Sequence, residues 1–220
     1  MIPDPAFHFS LYSRAGIPTP EIVTRCFLSA TPLATQALAA ALAPLLPPGC
    51  LLRLEGELGA GKTTFVQGLA RGLGVAGPVQ SPTFTLIREH AGGGAMGLAH
   101  MDFYRLSGAV EAQDLGLDAY LDGDDLLAVE WPDRAGDALP RRGLSIALAP
   151  AAVDGAAVAV AGRMVAGSRG PEDDPLDEPP RLIRLWAYDG ATAAALDALA
   201  RPDEPGLREI CCPPAGADHD

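Results

Sequence analysis

The sequence predicts an α/β fold in which a mostly parallel central sheet is flanked by helices. Short apolar runs suited to buried strands alternate with segments whose apolar residues recur at helical spacing. One such run, Cys50 to Leu54, passes directly into a glycine-rich turn and then into a helix. Because strand and helix signals alternate along the chain, we expect the strands to lie mostly parallel and to be covered by helices.

The first elements have clear boundary signals. A short strand is predicted near Arg25 to Leu28, and Thr31 followed by Pro32 is typical of a helix N-cap with proline at the first helical position. Apolar residues recur at helical spacing from Leu33 to Leu46, and the segment Pro47 to Gly49 ends this helix. Further strands are predicted at Thr83 to Arg88, Leu98 to Phe103, Leu126 to Glu130, Leu144 to Leu148 and Arg181 to Tyr188. Further helices are predicted at Thr63 to Leu73, within Ala109 to Leu121, and at Thr192 to Leu199.

The chain has the length and apolar content of one packed domain, with 220 residues of which 48% are hydrophobic. We expect residues 1–24 to be a flexible N-terminal extension and residues 25–201 to form the single domain. Residues 151–180 contain an acidic, proline-rich run, which predicts a loop insertion that is partly disordered. Residues 202–220 are predicted to be a polar C-terminal tail.

The charge balance argues against a nucleic-acid-binding protein. The net charge is −12, only 16 residues are Lys or Arg, and Lys62 is the sole lysine. Proteins that bind a nucleic-acid backbone normally present clustered basic residues, because each phosphate contact displaces counterions. We therefore do not expect the chain to bind tRNA or DNA stably by itself, although its acidity permits a role as the partner of a nucleic-acid enzyme.

The cysteines and the apolar segments favour a cytoplasmic protein. The four cysteines have no zinc-type spacing, and Cys26 and Cys50 each begin an apolar run, which predicts buried free thiols in a reduced compartment. The first 25 residues lack the apolar core of a secretory signal, and no stretch approaches the roughly 18 apolar residues of a membrane span. No membrane association is expected.

The strongest motif is a phosphate-binding loop, or P-loop. Residues Gly56 to Thr64 fit its pattern of glycine, four residues, glycine, lysine and then serine or threonine. Glycines allow successive backbone N–H groups to point at one anion, and the positive end of the following helix adds to the attraction. The alternative is a glycine-rich turn that fits by chance, but the strand before it and the helix after it favour nucleotide binding.

This motif predicts a P-loop NTPase fold and a site for ATP. Lys62 would place a cation on the β- and γ-phosphates, which makes it a candidate catalytic residue, and the Thr63 hydroxyl is a candidate ligand of Mg²⁺. The loop residues expected to bind the nucleotide are Glu57, Leu58, Gly59, Ala60, Gly61, Lys62, Thr63 and Thr64.

Two carboxylates are candidates for catalytic support of the metal or of the attacking water. Asp102 lies near the end of the strand predicted at Leu98 to Phe103, and Glu130 ends the strand predicted at Leu126 to Glu130. Ligands of open α/β sheets bind at strand ends, and each acid follows an apolar run that should be buried. The alternative is that either residue is a solvated surface acid.

Four blocks together resemble the TsaE family, the ATPases of bacterial tRNA threonylcarbamoyladenosine biosynthesis. The blocks are Gly56 to Thr64, Ser81-Pro82-Thr83-Phe84-Thr85-Leu86, His100-Met101-Asp102-Phe103-Tyr104-Arg105-Leu106 and Val129-Glu130-Trp131-Pro132. A P-loop alone would not identify a family, whereas four blocks in the family's order do. The resemblance runs from about Phe27 to Pro140 and continues weakly to Leu199.

The resemblance implies roles for individual residues. Thr63 and Glu130 would bind magnesium, and Asp102 would support the metal or the attacking water. Thr35 corresponds to a family threonine near the nucleotide, and Arg181 corresponds to an arginine that contacts it.

Three further features each keep two interpretations. Trp131 resembles a family tryptophan beside the active site, or it packs in the core. The segment Ser81 to Thr85 is a switch whose hydroxyls sense a γ-phosphate, or it is the ordinary start of a strand. His100 orders the neighbouring backbone, or it performs acid–base chemistry.

The expected activity is ATP hydrolysis that drives a partner complex. By resemblance, the partner is the TsaB–TsaD complex, in which TsaD transfers the threonylcarbamoyl group to tRNA, so that the chain meets tRNA only indirectly. A small-molecule kinase is a rival, although the loop Gly92 to Gly97 contains no arginine and would make a poor phosphate lid. A nucleotide-gated binding module without meaningful turnover is the second rival.

Overall fold

The computed structural model describes residues 24–94, 96–154, 157–160, 163–166 and 179–210. All but the last residue of the predicted N-terminal extension lies outside these ranges. The same holds for much of the predicted insertion and for the last ten residues of the predicted tail.

Eight strands of the described residues form one mixed sheet, in the order β11-β1-β10-β6-β2-β5-β4-β3. These strands are β1 (Thr24–Ser29), β2 (Leu51–Glu55), β3 (Ile87–His90), β4 (Leu98–Asp102), β5 (Leu126–Glu130), β6 (Leu144–Pro150), β10 (Arg181–Ala187) and β11 (Leu207–Ile210). A separate three-stranded antiparallel sheet contains β7 (Ala152–Asp154), β8 (Ala157–Val160) and β9 (Arg163–Ala166). The α/β class is confirmed.

The prediction of a mostly parallel sheet is wrong for the sheet as a whole. Only the four central strands are parallel, through the pairs β6–β2, β2–β5 and β5–β4. The pairs β3–β4, β6–β10, β10–β1 and β1–β11 are antiparallel. For β3 and β4 the physical reason is the short connection through residues 91–97, because a parallel crossover needs about a dozen residues or more.

Helices cover both faces of the central strands. The helices are α1 (Pro32–Leu42), α2 (Lys62–Gly72), α3 (Ala109–Asp114), α4 (Leu117–Leu121) and α5 (Gly190–Ala198), with 3₁₀ turns at Ala43–Leu45 and Pro132–Ala138. In β2, Leu52 and Leu54 join the core cluster that contains the buried faces of α1 and α2. Leu51 of the same strand joins a second cluster with residues of α3 and α4. This alternation follows from the two-residue period of a strand.

The start of α1 confirms the predicted cap. The Thr31 hydroxyl accepts a hydrogen bond from the backbone N–H of Ala34 at 3.1 Å, and Pro32 is the first helical residue. The helix ends at Leu42 and continues as a 3₁₀ turn, so the predicted end at Leu46 is a few residues late. The predicted helices around residues 63–73, 109–121 and 192–199 are also present, with small shifts at their ends.

Two predicted boundaries are wrong, one because of a local turn and the other because of long-range strand pairing. The strand predicted from Thr83 begins only at Ile87, because the Pro82 carbonyl accepts hydrogen bonds from the N–H groups of Thr85 and Leu86 and closes a turn. Leu86 accordingly has a φ of 65°. The predicted tail from residue 202 contains β11, which pairs with β1 and adds an edge strand to the sheet.

The two predicted buried cysteines differ in state. Cys50 is a buried free thiol, and burial raises its pKa to about 12. Cys26 is disulfide-bonded, so the expectation of a free thiol at this position is wrong. Among the described residues, no helix has both the length and the apolar character needed to cross a bilayer.

The close packing of α1 on α2 depends on glycine. A Cβ atom at Gly68 would collide with the carbonyl oxygen of Gln36 and lie 2.7 Å from the Cβ atom of Ala39. The first of these contacts is with main chain, which cannot move aside cheaply. Because α1 and α2 carry residues on both sides of the cleft described below, this contact also fixes the shape of the candidate site.

We expect Gly68→Ala to lower the free energy of unfolding by about 1–3 kcal/mol through overpacking, although alanine is the better helix former. Gly190→Ala is the control, because this helical position has no neighbouring atom within 4 Å of an added Cβ. The control should be neutral or slightly stabilising. Urea unfolding measures both variants, and equal stabilities would contradict the assigned packing.

Candidate functional site

A cleft of about 450 Å³ lies above the loop that joins β2 to α2. It lies at the carboxyl ends of the parallel strands, where open α/β sheets place their ligand sites. Its lining residues are Ser29, Ala30, Thr31, Pro32, Thr35, Leu58, Gly59, Ala60, Gly61, Lys62, Thr63, Thr64, Ser81, Thr83, Asp102, Tyr104, Glu130, Trp131, Pro179 and Arg181.

The glycine-rich loop has a backbone that other residues would not adopt. Gly61, the N-cap of α2, has a φ of 101°, and Gly56 has a φ of 139°. A Cβ atom at Gly56 would also collide with the carbonyl oxygen of Leu148 in β6. Gly59 has a φ of 77° with open space where its Cβ would be. The loop therefore needs glycine at Gly56 for both backbone conformation and space, and at Gly59 and Gly61 for conformation.

Lys62 is the cation at the base of the cleft. Its Nζ donates hydrogen bonds to the carbonyl oxygens of Gly56 at 2.7 Å and Glu57 at 2.9 Å, and lies 4.0 Å from the centre of the Trp131 ring. Burial lowers the pKa of Lys62, and the nearby carboxylates of Glu130 and Asp102 oppose that shift. A buried ammonium group whose described hydrogen bonds go to neutral oxygens is well suited to receive an anionic ligand.

Glu130 connects the end of β5 to the first turn of α2. Its Oε1 accepts a hydrogen bond from Thr63 Oγ1 at 2.8 Å and lies 2.9 Å from His100 Nε2. Only 4% of the Glu130 residue surface is exposed, which excludes the alternative of a solvated surface acid. The backbone of Glu130 is also held, because its carbonyl accepts a hydrogen bond from the N–H of Phe103 at 3.0 Å.

Asp102 is the second buried carboxylate, and it organises the segment that follows α2. Its Oδ2 accepts hydrogen bonds from Ser81 at 3.0 Å and Thr83 at 2.5 Å, while its Oδ1 accepts one from the N–H of Tyr104 at 3.0 Å. Thr83 lies in a turn that Ser81 directly precedes, so the interpretation of this segment as an ordinary strand start is wrong. Asp102 thus joins the turn to β4 beside the cleft.

Trp131 has both of the positions that the sequence left open, since it packs in the core and lies beside the cleft. It contacts the second core cluster and also lines the cleft, where its ring is 5.1 Å from that of Tyr104. Its φ of 58° and ψ of 52° lie in the left-handed region, which is uncommon for a bulky residue. The surrounding packing must therefore hold this backbone in place.

The opposite wall of the cleft comes from the antiparallel strands. Thr35 of α1 shares a buried hydrogen bond of 2.8 Å with Ser29, the last residue of β1. Arg181, which begins β10, donates hydrogen bonds to the carbonyl oxygens of Ala60 at 3.1 Å and Gly59 at 3.2 Å, and a further one to that of Pro179. Arg181 thereby connects this wall to the glycine-rich loop.

The structure brings nearly all of the predicted site residues to one cleft. The exception is Glu57, which does not line it but offers its carbonyl oxygen to Lys62. Sequence reasoning assigned no role to Ser29 or Tyr104, and it assigned Thr31 only the N-cap of α1. A signal existed only for Tyr104, which lies two residues after Asp102 in the same block. The positions of the other two depend on long-range pairing of β1.

The donor set fits a magnesium ion. Thr63 and Glu130 present a hydroxyl and a carboxylate in direct contact, and both are oxygen ligands of the kind that Mg²⁺ prefers. Within the part of the chain that the structure describes, no group of three or more His, Cys, Asp or Glu residues could hold a metal. That is expected for Mg²⁺, which usually takes one or two protein ligands together with water and substrate phosphates.

These features define an α/β protein whose cleft is built around a glycine-rich loop, one lysine and two buried carboxylates. The chain belongs to the TsaE family, because the sequence model described as "Threonylcarbamoyl adenosine biosynthesis protein TsaE" matches residues 29–157. The assignment made from the four sequence blocks is thereby confirmed.

Individual relatives agree with this family. The "tRNA threonylcarbamoyladenosine biosynthesis protein TsaE" of Bacillus subtilis (strain 168) is 46% identical over 123 residues, which are 56% of this chain and 76% of the relative. The protein of the same name from Synechocystis is 48% identical over 97 residues, covering 42% and 60%. The crystal structure of Bacillus subtilis YdiB superposes with a TM-score of 0.60 at 31% identity, covering 83% of this chain and 98% of that one.

Glu55, the residue before the loop, lies on the face of β2 opposite to Leu52 and Leu54, and its pKa is unusual. Burial raises the pKa of Glu55 to about 7; Arg53 opposes this shift and Asp133 adds to it. The Ser145 hydroxyl is 3.4 Å from Glu55 Oε1, which is a long hydrogen bond. The last residue of β2 therefore changes its charge near neutral pH.

We expect Glu55→Gln to remove part of the pH dependence of stability. The folded pKa of Glu55 lies above its unfolded value, so the folded state binds more protons, and stability is lost as pH rises from about 4.5 to about 7. At about 1.4 kcal/mol per pKa unit the loss is at most roughly 3 kcal/mol. The variant should therefore be more stable than the wild type at pH 8 and similar at pH 4.5.

Urea unfolding at both pH values measures this effect. Glu209→Gln is the control, because a hydrogen bond from Arg25 lowers the pKa of Glu209, although the side chain is 39% exposed. Removing that surface pair should cost no more than about 1 kcal/mol at pH 8. A Glu55→Gln variant with the wild-type pH profile would show that this carboxyl titrates normally.

Proposed function

We propose that this chain is a Mg²⁺-dependent ATPase with a P-loop NTPase fold that acts in tRNA threonylcarbamoyladenosine biosynthesis. The biosynthetic role rests on the family and on the names of relatives from several bacteria. The ATPase activity rests on the cleft. It is supported above all by one observation: Lys62, Thr63, Asp102 and Glu130 meet around a loop that only glycines can form.

Binding of the triphosphate begins with a change of partners at Lys62. Its Nζ now donates to two carbonyl oxygens of the loop, which are neutral acceptors. Phosphate oxygens are charged acceptors and form the stronger hydrogen bonds, so Lys62 exchanges its partners when the nucleotide binds. The N–H groups at the start of α2 and the dipole of that helix contribute to the same attraction.

Thr63 and Glu130 are the residues that would hold the magnesium ion. The hydroxyl of Thr63 can donate its proton to Glu130 while its lone pairs bind the metal, so the contact seen between them is compatible with that role. A magnesium ion bound there would neutralise charge on the phosphate oxygens during hydrolysis. Asp102 supports the metal or the attacking water, and the hydroxyls of Ser81 and Thr83 link it to a turn able to respond to the γ-phosphate.

Hydrolysis by the isolated chain is expected to be slow. Arg181 is the one arginine that lines the cleft among the described residues, and the hydrogen bonds described for it go to backbone carbonyl oxygens. An arginine that reaches the transferring phosphoryl group accelerates related reactions by about 10³–10⁵-fold. A partner that supplies or orders such a group would raise the rate, which is consistent with a component that works inside a complex.

The kinase alternative finds no support in the loop after β3. The N–H of Gly93 donates to the carbonyl oxygen of Leu73 at 2.9 Å, which places this loop at the carboxyl end of α2. The cleft lies at the opposite end of that helix. The loop at residues 91–97 therefore cannot close over bound phosphates, whatever its composition.

The partner is proposed to be the TsaB–TsaD complex, whose turnover ATP hydrolysis would drive in the cytoplasm. The net charge of −12 is consistent with a chain that meets tRNA only through those partners. The acidic segment around residues 171–180 adds to the negative charge.

Two variants separate binding from catalysis. Lys62→Ala should weaken ATP binding by about 10–100-fold, because a charge-assisted contact is lost. Glu130→Ala should lower kcat by about 100-fold with a smaller effect on the Kd of ATP, because the loop and Lys62 remain. Fluorescent-nucleotide titration and phosphate release measure the two quantities. Normal turnover by Lys62→Ala would refute the assigned loop.

Added TsaB–TsaD should raise phosphate release by at least about tenfold and sustain repeated rounds of tRNA modification. The matched control is Lys62→Ala with the same partners, which should support neither. Transfer of phosphate to a metabolite instead of water would favour a kinase. No phosphate release in a single turnover with the partners present would favour a nucleotide-gated binding module.

A further inference from the structure

His100 is the one buried ring of the site whose position neither sequence interpretation explains. It lies in β4, two residues before Asp102, and is 0% exposed. Its Nε2 lies 2.9 Å from the carboxylate of Glu130, so this contact is neither with neighbouring backbone nor with the open cleft. Buried polar atoms normally have a hydrogen-bond partner. The partner of this ring is Glu130, a candidate metal ligand.

The hydrogen-bond pattern defines the tautomer of the ring. An ionised carboxylate only accepts hydrogen bonds, so Nε2 must carry a proton to bind Glu130. Nδ1 is buried and has no hydrogen-bond partner among the described residues. A proton on Nδ1 would therefore be a buried donor without an acceptor. The arrangement favours a ring that carries a proton on Nε2.

We propose that His100 is a positioning residue that holds Glu130 in the orientation needed to bind magnesium, an inference that rests on the proposed ATPase function. Thr63 and His100 both contact Oε1, the same oxygen of Glu130. Two contacts on one oxygen restrict the rotation of the carboxylate, and neither of them occupies Oε2. Backbone hydrogen bonds of β5 hold the main chain of Glu130 but cannot fix the rotation of its side chain.

His100 is distinct from the catalytic groups because it does not line the cleft. It acts on the metal through Glu130, as outer hydrogen-bond partners of metal ligands commonly do. Loss of such partners typically costs about 10–100-fold in metal affinity or activity. We therefore expect an effect on the metal contribution to nucleotide binding and little effect on metal-free binding.

Three substitutions separate positioning from packing. Gln places a side-chain amide where Nε2 lies, whereas Asn places its amide near Nδ1, which has no partner in this structure. Leu fills the space without a donor. The measured quantity is the ratio of the Kd of a fluorescent ATP analogue in EDTA to its Kd in Mg²⁺, determined with the full chain.

His100→Leu and His100→Asn should lower this ratio by about tenfold, no more than Glu130→Ala lowers it, and His100→Gln should retain most of it. All three should bind the analogue like the wild type in EDTA. Thermal unfolding accompanies each measurement, because a purely structural histidine would change stability equally in Gln and Asn and leave the ratio unchanged. That result would overturn the inference while leaving the proposed function intact.

A wild-type protein that binds no nucleotide would overturn the proposed function and this inference together.

A measurement on the wild type does not depend on whether the variants fold. Proton–nitrogen correlation spectra of the imidazole rings should show His100 with its proton on Nε2. A proton on Nδ1 instead would remove the donor to Glu130 and overturn the inference.

Discussion

The hydrogen bond between Thr63 and Glu130 joins the first turn of α2 to the end of β5, and the rest of the cleft is arranged around it. The two residues are 67 positions apart in the chain. They meet because β5 lies parallel to β2, and β2 passes directly into the loop that starts α2. The parallel arrangement of the central strands is therefore the constraint on which the candidate chemistry depends.

Much of this centre could be predicted because its signals are local. The glycine spacing, the apolar runs before Asp102 and Glu130, and the cap at Thr31 all act within a few residues. The outer strands are different. Their antiparallel order depends on how the edge elements pair, and nothing within the sequence at Leu207–Ile210 indicates that it will pair with β1. The second wall of the cleft was accordingly the part that sequence reasoning left incomplete.

The predicted start of β3 is wrong because backbone hydrogen bonds form a turn in a segment whose composition is typical of a strand. Thr83 to Arg88 has the β-branched residues of a strand, but the Pro82 carbonyl accepts two N–H groups and turns the chain before Ile87. The same turn brings Ser81 and Thr83 to Asp102. In an extended strand Ser81 and Thr83 would lie about 7 Å apart along one face. Here their hydroxyls are 2.7 Å apart and share the Oδ2 atom of Asp102. The wrong boundary thus marks a segment whose geometry serves the site.

The residues of the cleft come from two groups of strands, one parallel and one antiparallel. The parallel strands β2, β4 and β5 carry the loop and both buried carboxylates, which are the groups suited to phosphate and metal. The antiparallel strands β1 and β10 carry Ser29 and Arg181 on the opposite wall, and Arg181 also contacts the loop. Because Arg181 binds carbonyl oxygens of the loop, any movement of β10 would alter the loop itself. A partner that bound the outer strands would therefore act on the glycine-rich loop without entering the cleft.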